Sequence, residues 1–305
     1  MQRRTFIRNT GLCAIAVSAS GFIHFDGNHY IGDCETTTDI LGPFYRPNSP
    51  VRNNLVIKGE PGIPVALSGI IKHNDCTTPY KKAKIELWHC SSSGVYDNTS
   101  EEYRNRGTTY CDDNGHYSFN TVLPVPYDAG GGYMRPAHFH LMVTAEGYQP
   151  LVTQLYFSGD AYIAKDLYSS SPTAKRRILD VQTLKNGTKK VLFDVSMSDK
   201  LAAEPAAMDK LTGVYTDEKD KGNKSELFIK NNLLWMKNEV FGENLEYIGN
   251  NAFQFAGMPP GMSQTLVFEI MSTGNVKVTM TNAGGSGGKY VAVFIKENNF
   301  LRRRT

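Results

Sequence analysis

Short segments in which apolar and polar residues alternate follow one another along the first two thirds of the chain. Alternation with a period of two is typical of strands that bury one face. Turn-forming stretches such as "NDCTTP" and "AEGYQP" separate these segments. Short strands at this spacing favour a β-sandwich. The predicted strands are 64–73, 83–90, 115–123, 139–145 and 151–157.

Helical signal is scarce in the same part of the chain. One convincing helical stretch, "SPTAKRRILD", covers residues 171–180 and is short. Residues 158–166, "SGDAYIAKD", predict a loop. The chain is therefore predicted to be all-β.

A change of composition near residue 204 indicates a second unit. Residues 198–211 are Ala-rich and polar and include a proline, which favours a linker with a helical turn. Alternating segments then resume as three candidate hairpins, each with Asn or Gly at its turn. These hairpins contain no cysteine, no histidine and no clustered pair of acids, so we predict no chemistry for them. The predicted organisation is a β-sandwich over residues 22–203 and a smaller, barrel-like antiparallel accessory domain of unknown role over residues 205–305.

The first 21 residues have the composition of an export signal. A basic start precedes an apolar run rich in small residues, which is typical of a signal peptide. Arg3 and Arg4, followed by Thr5, are similar to the twin-arginine export signal, and an ordinary signal peptide is the alternative. The apolar run is too short to span a bilayer, and no later stretch is apolar enough over a sufficient length. We therefore predict export, to the periplasm or beyond, and a mature chain without an integral membrane segment.

Composition fits a globular protein and argues against nucleic acid as a partner. Hydrophobic residues make up 40% of the 305 residues and charged residues 21%, which is enough for a sizeable core. The formal net charge is +3. Apart from "LRRRT" at the C-terminus, the chain has no basic block interleaved with aromatic residues.

Export changes the meaning of the cysteines, because disulfides persist in oxidising compartments. Cys34, Cys76, Cys90 and Cys111 remain once the signal is removed. They allow three disulfide pairings, and four free thiols are the alternative. Their spacing contains no C-x-x-C, which argues against a zinc site.

The stretch "RPAHFH" (135–140) places two histidines at strand spacing. Side chains two apart on a strand share a face, so His138 and His140 are expected side by side. Two tyrosines stand out as partners by their position. Tyr96 follows the strand 83–90, and Tyr127 precedes a glycine run that lets the chain turn back over the histidines. Half-buried structural histidines and packing tyrosines are the alternatives.

Together, the two residue types favour one kind of metal ion. Phenolate is a hard anionic oxygen ligand, so it suits a hard, highly charged ion such as Fe(III). Zinc more often binds thiolate, imidazole or carboxylate. A ferric charge would also lower the pKa of a phenol, so that tyrosine ionises near neutrality.

Five ordered motifs lie between residues 35 and 200. They are "TDILGPFYRP" (38–47), "AKIELWHCSSSGVY" (83–96), "RGTTYCDDNGHYSFNTVLPVPY" (106–127), "RPAHFH" (135–140) and "TQLYFSGD" (153–160). In sequence and order they resemble motifs of the intradiol ring-cleavage dioxygenases, the family of catechol and protocatechuate dioxygenases.

This resemblance implies a set of site residues. The implied Fe(III) ligands are Tyr96, Tyr127, His138 and His140. Arg135 would lie beside the substrate and stabilise developing negative charge, and Gln154 would line the same pocket. A surface salt bridge and a strand-face amide are the alternatives for these two residues. Tyr127 would leave the metal when substrate binds and act as a base.

The resemblance implies cleavage of a catechol-type ring by O₂ between the two hydroxylated carbons, giving a muconate-type diacid. A non-catalytic β-sandwich that binds an aromatic or a sugar is the alternative. The export signal leaves little room for the N-terminal helical dimerisation segment of many catechol dioxygenases. The specific catechol, the homo-oligomeric state, the disulfide pairing and the role of the second domain therefore stay open.

Overall fold

The computed structural model is built almost entirely from strands, which confirms the predicted all-β class. The described residues are 23–25, 30–32, 34–198, 203, 205–259, 261–284 and 288–297. The predicted signal peptide over residues 1–21 lies outside them. Within the described ranges there is one α-helix, α1 (Pro205–Leu211), and there are two short 3₁₀ helices, Ile163–Lys165 and Pro172–Arg177. No helix in this part of the chain has the length and apolar character needed to cross a membrane.

The strands that precede α1 form two large sheets and two small ribbons. Their bounds are β1 (Ile23–Phe25), β2 (Tyr30–Gly32), β3 (Pro64–Lys72), β4 (Lys84–Trp88), β5 (Arg106–Tyr110), β6 (His116–Val122), β7 (Tyr127–Asp128), β8 (Met134–Arg135), β9 (His138–Thr144), β10 (Leu151–Phe157), β11 (Ile178–Leu179), β12 (Gln182–Thr183), β13 (Lys189–Leu192) and β14 (Val195–Ser196). One sheet has the order β11-β10-β9-β4-β5. The other has the order β12-β13-β3-β14, with β6 also paired to β3. The ribbons are β1-β2 and β7-β8.

A single apolar core lies between the two large sheets. Leu67 and Phe119 reach it from the sheet that contains β3. Ile85, Phe139 and Leu141 reach it from the sheet that contains β9, and all five side chains are fully buried. Two sheets that share one core in this way form a β-sandwich, as predicted.

All five predicted strands of the sandwich are present, and their ends differ by no more than two residues. The stretch predicted as a helix, residues 171–180, is a 3₁₀ helix that ends at Arg177. It ends there because Ile178 and Leu179 leave the helix and pair in parallel with the end of β10. The predicted loop 158–166 contains the other 3₁₀ helix.

The second unit is a closed antiparallel barrel, in which each strand pairs with its neighbours in sequence. Its strands are β15 (Gly213–Asp217), β16 (Lys224–Lys230), β17 (Leu233–Met236), β18 (Glu243–Gly249), β19 (Ala252–Phe255), β20 (Ser263–Ile270), β21 (Val276–Ala283) and β22 (Tyr290–Lys296). The three predicted hairpins are β16-β17, β18-β19 and β20-β21. The strands that were not predicted, β15 and β22, pair with each other and close the barrel. Asn231 and Asn232 turn the first hairpin with φ values of 52° and 58°, as a type I′ turn requires.

One disulfide ties the start of the sandwich to the turn after β3. Cys34 and Cys76 are bonded, with their Cα atoms 6.0 Å apart. Cys90 and Cys111 are buried free thiols, and burial raises the pKa of Cys90 to about 11. The described cysteines therefore form one bridge and leave two free thiols, which is neither a full pairing of the four cysteines nor four free thiols.

Candidate metal site

The two histidines of "RPAHFH" lie side by side on β9, which runs between β4 and β10. Both side chains are buried, and their Nε2 atoms are 3.2 Å apart. Pairing on both edges fixes the backbone of β9, because His140 lies opposite Trp88 on β4 and Gln154 on β10. The rigid centre of a sheet therefore carries both imidazoles.

Both imidazoles are held in the neutral form with a nitrogen lone pair available. His138 Nδ1 lies 2.6 Å from the carbonyl oxygen of Pro136. Since a carbonyl only accepts, Nδ1 carries the proton and Nε2 is left as an acceptor. Burial and the nearby Arg135 guanidinium lower the pKa of His138 to about 3. Burial, His138 and Arg135 also lower the pKa of His140 well below its usual value.

Tyr96 extends into the same space from the loop that follows β4. Its hydroxyl oxygen lies 3.0 Å from His140 Nε2 and 3.3 Å from His138 Nε2. The Phe44 ring stacks on the Tyr96 ring, with centroids 4.4 Å apart. The neighbouring carboxylate of Asp97 holds the loop, because it accepts hydrogen bonds from three backbone N–H groups at residues 99, 100 and 104.

Tyr127 begins the β7-β8 ribbon, in which it pairs with Arg135. Three consecutive glycines with positive φ, Gly130 to Gly132, turn the chain, and the Asp128 carboxylate accepts from the N–H groups of Gly130 and Gly132. The Tyr127 ring centroid lies 5.5 Å from that of Tyr96 and 5.7 Å from that of His138. The structure therefore brings together all four residues that the sequence suggested as ligands.

The chemistry of this cluster fits a hard metal ion. The Tyr96 oxygen and the two histidine Nε2 atoms are 3.0–3.3 Å from one another. Ligand atoms that share one metal ion at about 2.0–2.1 Å are separated by about 3 Å. Burial raises the pKa of both Tyr96 and Tyr127, whereas a bound metal ion would lower it. Among the described residues no group of three or more His, Cys, Asp or Glu side chains could hold a metal, so a metal here depends on the tyrosines.

Arg135 places a fixed positive charge beside the cluster. Its side chain is buried, with Nε 2.7 Å from Asp166 Oδ2 and Nη2 donating to Gln154 Oε1 at 2.7 Å. The guanidinium also lies over the Tyr168 ring, 4.9 Å from its centroid. Its charge opposes the effect of burial on the pKa of Tyr127. Arg135 and Gln154 are therefore neighbours of the cluster and of each other, and neither is a surface group.

Sequence reasoning missed the polar residues that hold Arg135 and Gln154. Asp166 is fully buried, although the segment 158–166 was predicted only as a loop. Tyr156 donates to Asp39 Oδ2 at 2.9 Å, and the Asp39 carboxylate also pairs with Arg177. Asp39 lies in the motif 38–47 and Tyr156 in the motif 153–160. Membership of these motifs was the sequence feature that could have pointed to the two residues. Nothing in the local sequence marked Asp166 or Arg177.

Known proteins resemble the sandwich part of the chain. A family model described as "Dioxygenase" matches residues 40–199. Catechol 1,2-dioxygenase from Candida albicans is 35% identical over 151 residues, which are 43% of this chain and 50% of the relative. Chlorocatechol 1,2-dioxygenase from Rhodococcus opacus is 32% identical over 158 residues, which are 44% of this chain and 61% of the relative. This chain thus spans between half and two thirds of the length of these curated relatives.

A solved structure also aligns with this region. It is the dioxygenase domain of a dioxygenase carbohydrate-binding protein fusion from the cellulolytic bacterium Streptomyces sp. SirexAA-E. The alignment has a TM-score of 0.47 and 26% identity, and it covers 53% of this chain and 97% of the other. The family model alone extends over just more than half of the 305 residues and includes all four clustered side chains. The chain therefore belongs to the intradiol ring-cleavage dioxygenase family.

Proposed function

We propose that this chain is a non-haem Fe(III) dioxygenase that cleaves a catechol-type ring between its two hydroxylated carbons. Both oxygen atoms of O₂ enter the product, so a catechol gives a muconate-type diacid. The observation that supports this most strongly is the buried cluster of two tyrosines and two neutral histidines, with a fixed guanidinium beside it. In a family of intradiol enzymes, this donor set matches a ferric ion.

Each residue of the cluster has a role that its environment supports. His138 and His140 would hold the ion through Nε2. Tyr96 and Tyr127 would bind as phenolates, which leaves one positive charge for an exchangeable anion. A bound ferric ion would supply the positive charge that makes a chelated catechol acidic and reactive toward O₂.

Tyr127 is the ligand best placed to give way to substrate. Its side chain is half-buried, whereas Tyr96 and both histidines are buried. It also lies on a two-residue strand next to a turn of three glycines, instead of in the centre of a sheet. Tyr127 would therefore be the residue that accepts a proton from the substrate. Arg135 would stabilise negative charge on the substrate, and Gln154 would orient Arg135.

We further propose that the mature protein acts outside the cytoplasm. The Cys34–Cys76 disulfide supports this, because such bridges persist in oxidising compartments. The composition of residues 1–21 gives independent support from the sequence. Fractionation of cells that produce the full chain tests the location. Recovery of all of the protein in the cytoplasm would contradict it.

Oxygen uptake by purified full-length protein tests the proposed reaction. Catechol, chlorocatechol and hydroxyquinol are the first substrates to try, because they appear in the names of similar proteins. We expect the product mass to equal that of the substrate plus one O₂. His138→Ala and His140→Ala should abolish both uptake and product. A wild-type protein that binds these catechols without consuming oxygen would be a binding protein, and the enzymatic proposal would fail.

A further inference from the structure

The barrel is in contact with the sandwich through one face of β17. Strand alternation places Leu234 in the barrel core, whereas Leu233 and Trp235 belong to a different apolar cluster. That cluster also contains Tyr45, Trp88 and Tyr96 of the sandwich. Trp235 is fully buried although it lies on the outer face of the barrel. The sandwich therefore covers this part of the barrel.

A continuous series of ring contacts leads from the barrel to His140. The Trp235 ring stacks on Tyr45, with centroids 5.5 Å apart and planes at 16°. Tyr45 meets Trp88 edge-on at 5.0 Å. Trp88 in turn stacks on the His140 imidazole at 4.9 Å, with the planes only 8° apart. A side chain of the barrel thus supports the ring that packs on a candidate ligand.

The orientation of His140 depends on this packing more than that of His138 does. A metal-binding histidine is usually oriented by a hydrogen bond from its other ring nitrogen. His138 has this bond, to the carbonyl oxygen of Pro136. Within the described residues, His140 Nδ1 has no hydrogen-bond partner. The stacked Trp88 ring is therefore the contact that we expect to orient His140.

A second contact joins the barrel to the polar side of the site. Gly257, in the loop after β19, lies directly against the backbone of Asp39 and Ile40. A Cβ at Gly257 would come within 2.0 Å of the Asp39 carbonyl carbon, and φ there is +71°. The Ile40 carbonyl accepts from Gln154 Nε2 at 2.7 Å, and Gln154 in turn accepts from Arg135. The barrel therefore abuts the segment that orients the Gln154–Arg135 pair.

We propose that the C-terminal barrel positions the catalytic site, with Trp235 supporting His140 and Gly257 supporting the Gln154–Arg135 pair. Both are positioning residues, since neither lies in the cluster itself. This inference rests on the proposed ferric dioxygenase function. It gives the barrel, for which the sequence predicts no chemistry, a role in the reaction.

Substitutions at Trp235 in the full-length protein test the first contact. Trp235→Ala should weaken iron binding by about 10- to 100-fold, as loss of a group that orients a ligand does. It should also shift the visible charge-transfer band of the ferric tyrosinate. Trp235→Phe keeps a ring against Tyr45 and should restore most of both properties. Phe268→Ala is the matched control, because Phe268 lies in the barrel core away from the sandwich. It should lower the melting temperature and leave iron affinity and the band unchanged.

A measurement on metal-free protein separates this inference from the proposed function. The imidazole NMR signals of His140 should move in Trp235→Ala and stay in place in Phe268→Ala. If Trp235→Ala does not fold, Trp235→Leu serves the same purpose, since it keeps apolar volume without a ring. Unchanged His140 signals in a folded Trp235 variant would overturn the role of Trp235. Absence of iron from the wild type would overturn the proposed function, and the NMR result would still stand.

Gly257→Ala tests the second contact, with Gly274→Ala as its control. Both glycines have positive φ, but a Cβ at Gly274 meets nothing within 4 Å. Both variants carry similar backbone strain, with φ of +71° at Gly257 and +82° at Gly274, and only Gly257→Ala pushes on the Asp39–Ile40 segment. We expect about tenfold lower kcat in Gly257→Ala, with iron content retained. Equal kcat in the two variants would refute the role of Gly257.

Discussion

The sandwich and the barrel follow the same rules of strand alternation but bury different kinds of residue. The barrel core is almost wholly apolar, with Tyr215, Leu234, Phe253 and Phe268 among its members. The sandwich has an equally apolar core between its sheets, yet it also buries many ionisable groups in and around the sheet that contains β9 and β10. These groups are Asp39, Glu86, His89, Arg106, Arg135, His138, His140, Asp166 and Arg177, compared with Asp217 and Glu246 in the barrel. Buried ionisable groups are costly unless they are paired, so their concentration in one unit marks where function lies.

The sandwich contains two buried ion pairs near the candidate site. Arg135 pairs with Asp166, and Arg177 pairs with Asp39. Buried pairs of this kind add little net stability, because desolvation offsets most of their attraction. Their value here is geometric, since the Arg135–Asp166 pair fixes a guanidinium beside the candidate metal site. Among the described residues of the barrel, Asp217 and Glu246 are the buried acidic side chains, and we propose that the barrel supplies packing.

Removal of one buried hydroxyl from each unit gives the largest expected contrast. Tyr96→Phe deletes an oxygen that lies within 3.3 Å of two imidazoles, so it should abolish iron retention and turnover. Tyr215→Phe deletes a hydroxyl that donates to the Leu211 carbonyl in the barrel. It should cost about 1 kcal/mol of unfolding free energy and leave turnover unchanged. Iron analysis and oxygen uptake on both variants check this, and an active Tyr96→Phe would contradict the ligand assignment.

Arg135→Ala should have the next largest effect. Loss of a fixed positive charge beside a developing anion typically lowers kcat by about 10²- to 10³-fold. Iron should be retained, because Arg135 is not a ligand. The variant should also lose about 3–5 kcal/mol of stability, since it leaves Asp166 buried without its partner.

Arg135→Lys controls for that loss of stability. It keeps the charge but not the forked geometry, so kcat should recover only in part. The measurement is kcat with saturating catechol and oxygen on iron-replete protein. Wild-type turnover in Arg135→Ala would mean that the arginine is purely structural.

Gly42→Ala should have a smaller effect that is again specific to the sandwich. Gly42 has φ of +74°, and a Cβ there would lie 3.2 Å from His140 Cε1. The contact should tilt the imidazole and weaken iron binding by about tenfold. Gly274→Ala in the barrel carries similar backbone strain in open space and should leave iron binding unchanged. Equal iron affinity in the two variants would show that His140 tolerates displacement.

The smallest expected effect is on the stability of the protein in acid, and it depends on Asp97, the neighbour of Tyr96. Burial acts to raise the pKa of Asp97, but hydrogen bonds from Ser100, Arg104 and Thr99 outweigh it and lower the pKa from 3.8 to about 2. Because the folded-state value is depressed, its stabilisation is present above about pH 4 and is lost as the pH falls toward 2. Asp97→Asn should therefore flatten the fall in Tm over this range. If Tm falls with pH in Asp97→Asn as it does in the wild type, the Asp97 carboxylate does not contribute to stability in this way.

Sequence alone predicted the sandwich better than the environment of its site. Strand alternation gave all five predicted strands, because one face of each is buried in a common core. The short strands β7 and β8 were not predicted, since two residues carry no periodicity. The continuous apolar run "LLWM" (233–236) did indicate that something covers the outer face of the barrel there. A strand with apolar side chains on both faces is usually buried on both faces. The covering partner of Trp235 is Tyr45, which lies 190 residues earlier in the sequence, so only the fold shows the contact.

In the candidate site, too, the features that depend on local sequence were predicted and those that depend on distant contacts were not. The spacing of His138 and His140 and the glycine turn after Tyr127 were local features, and the structure brings these residues together with Tyr96. Asp166 and Arg177 act through contacts across the fold, and no local pattern marks a buried ion pair. The domain boundaries near residues 203 and 205 stay a prediction.

Iron analysis combined with visible absorption of the purified full-length protein tests the central claim most directly. We predict a single ferric ion per chain, with a tyrosinate charge-transfer band that shifts when catechol is added without oxygen. His140→Ala should lose both the iron and the band. Bound iron with no tyrosinate band, or full iron content in His140→Ala, would contradict the assignment of Tyr96, Tyr127, His138 and His140 as the metal ligands.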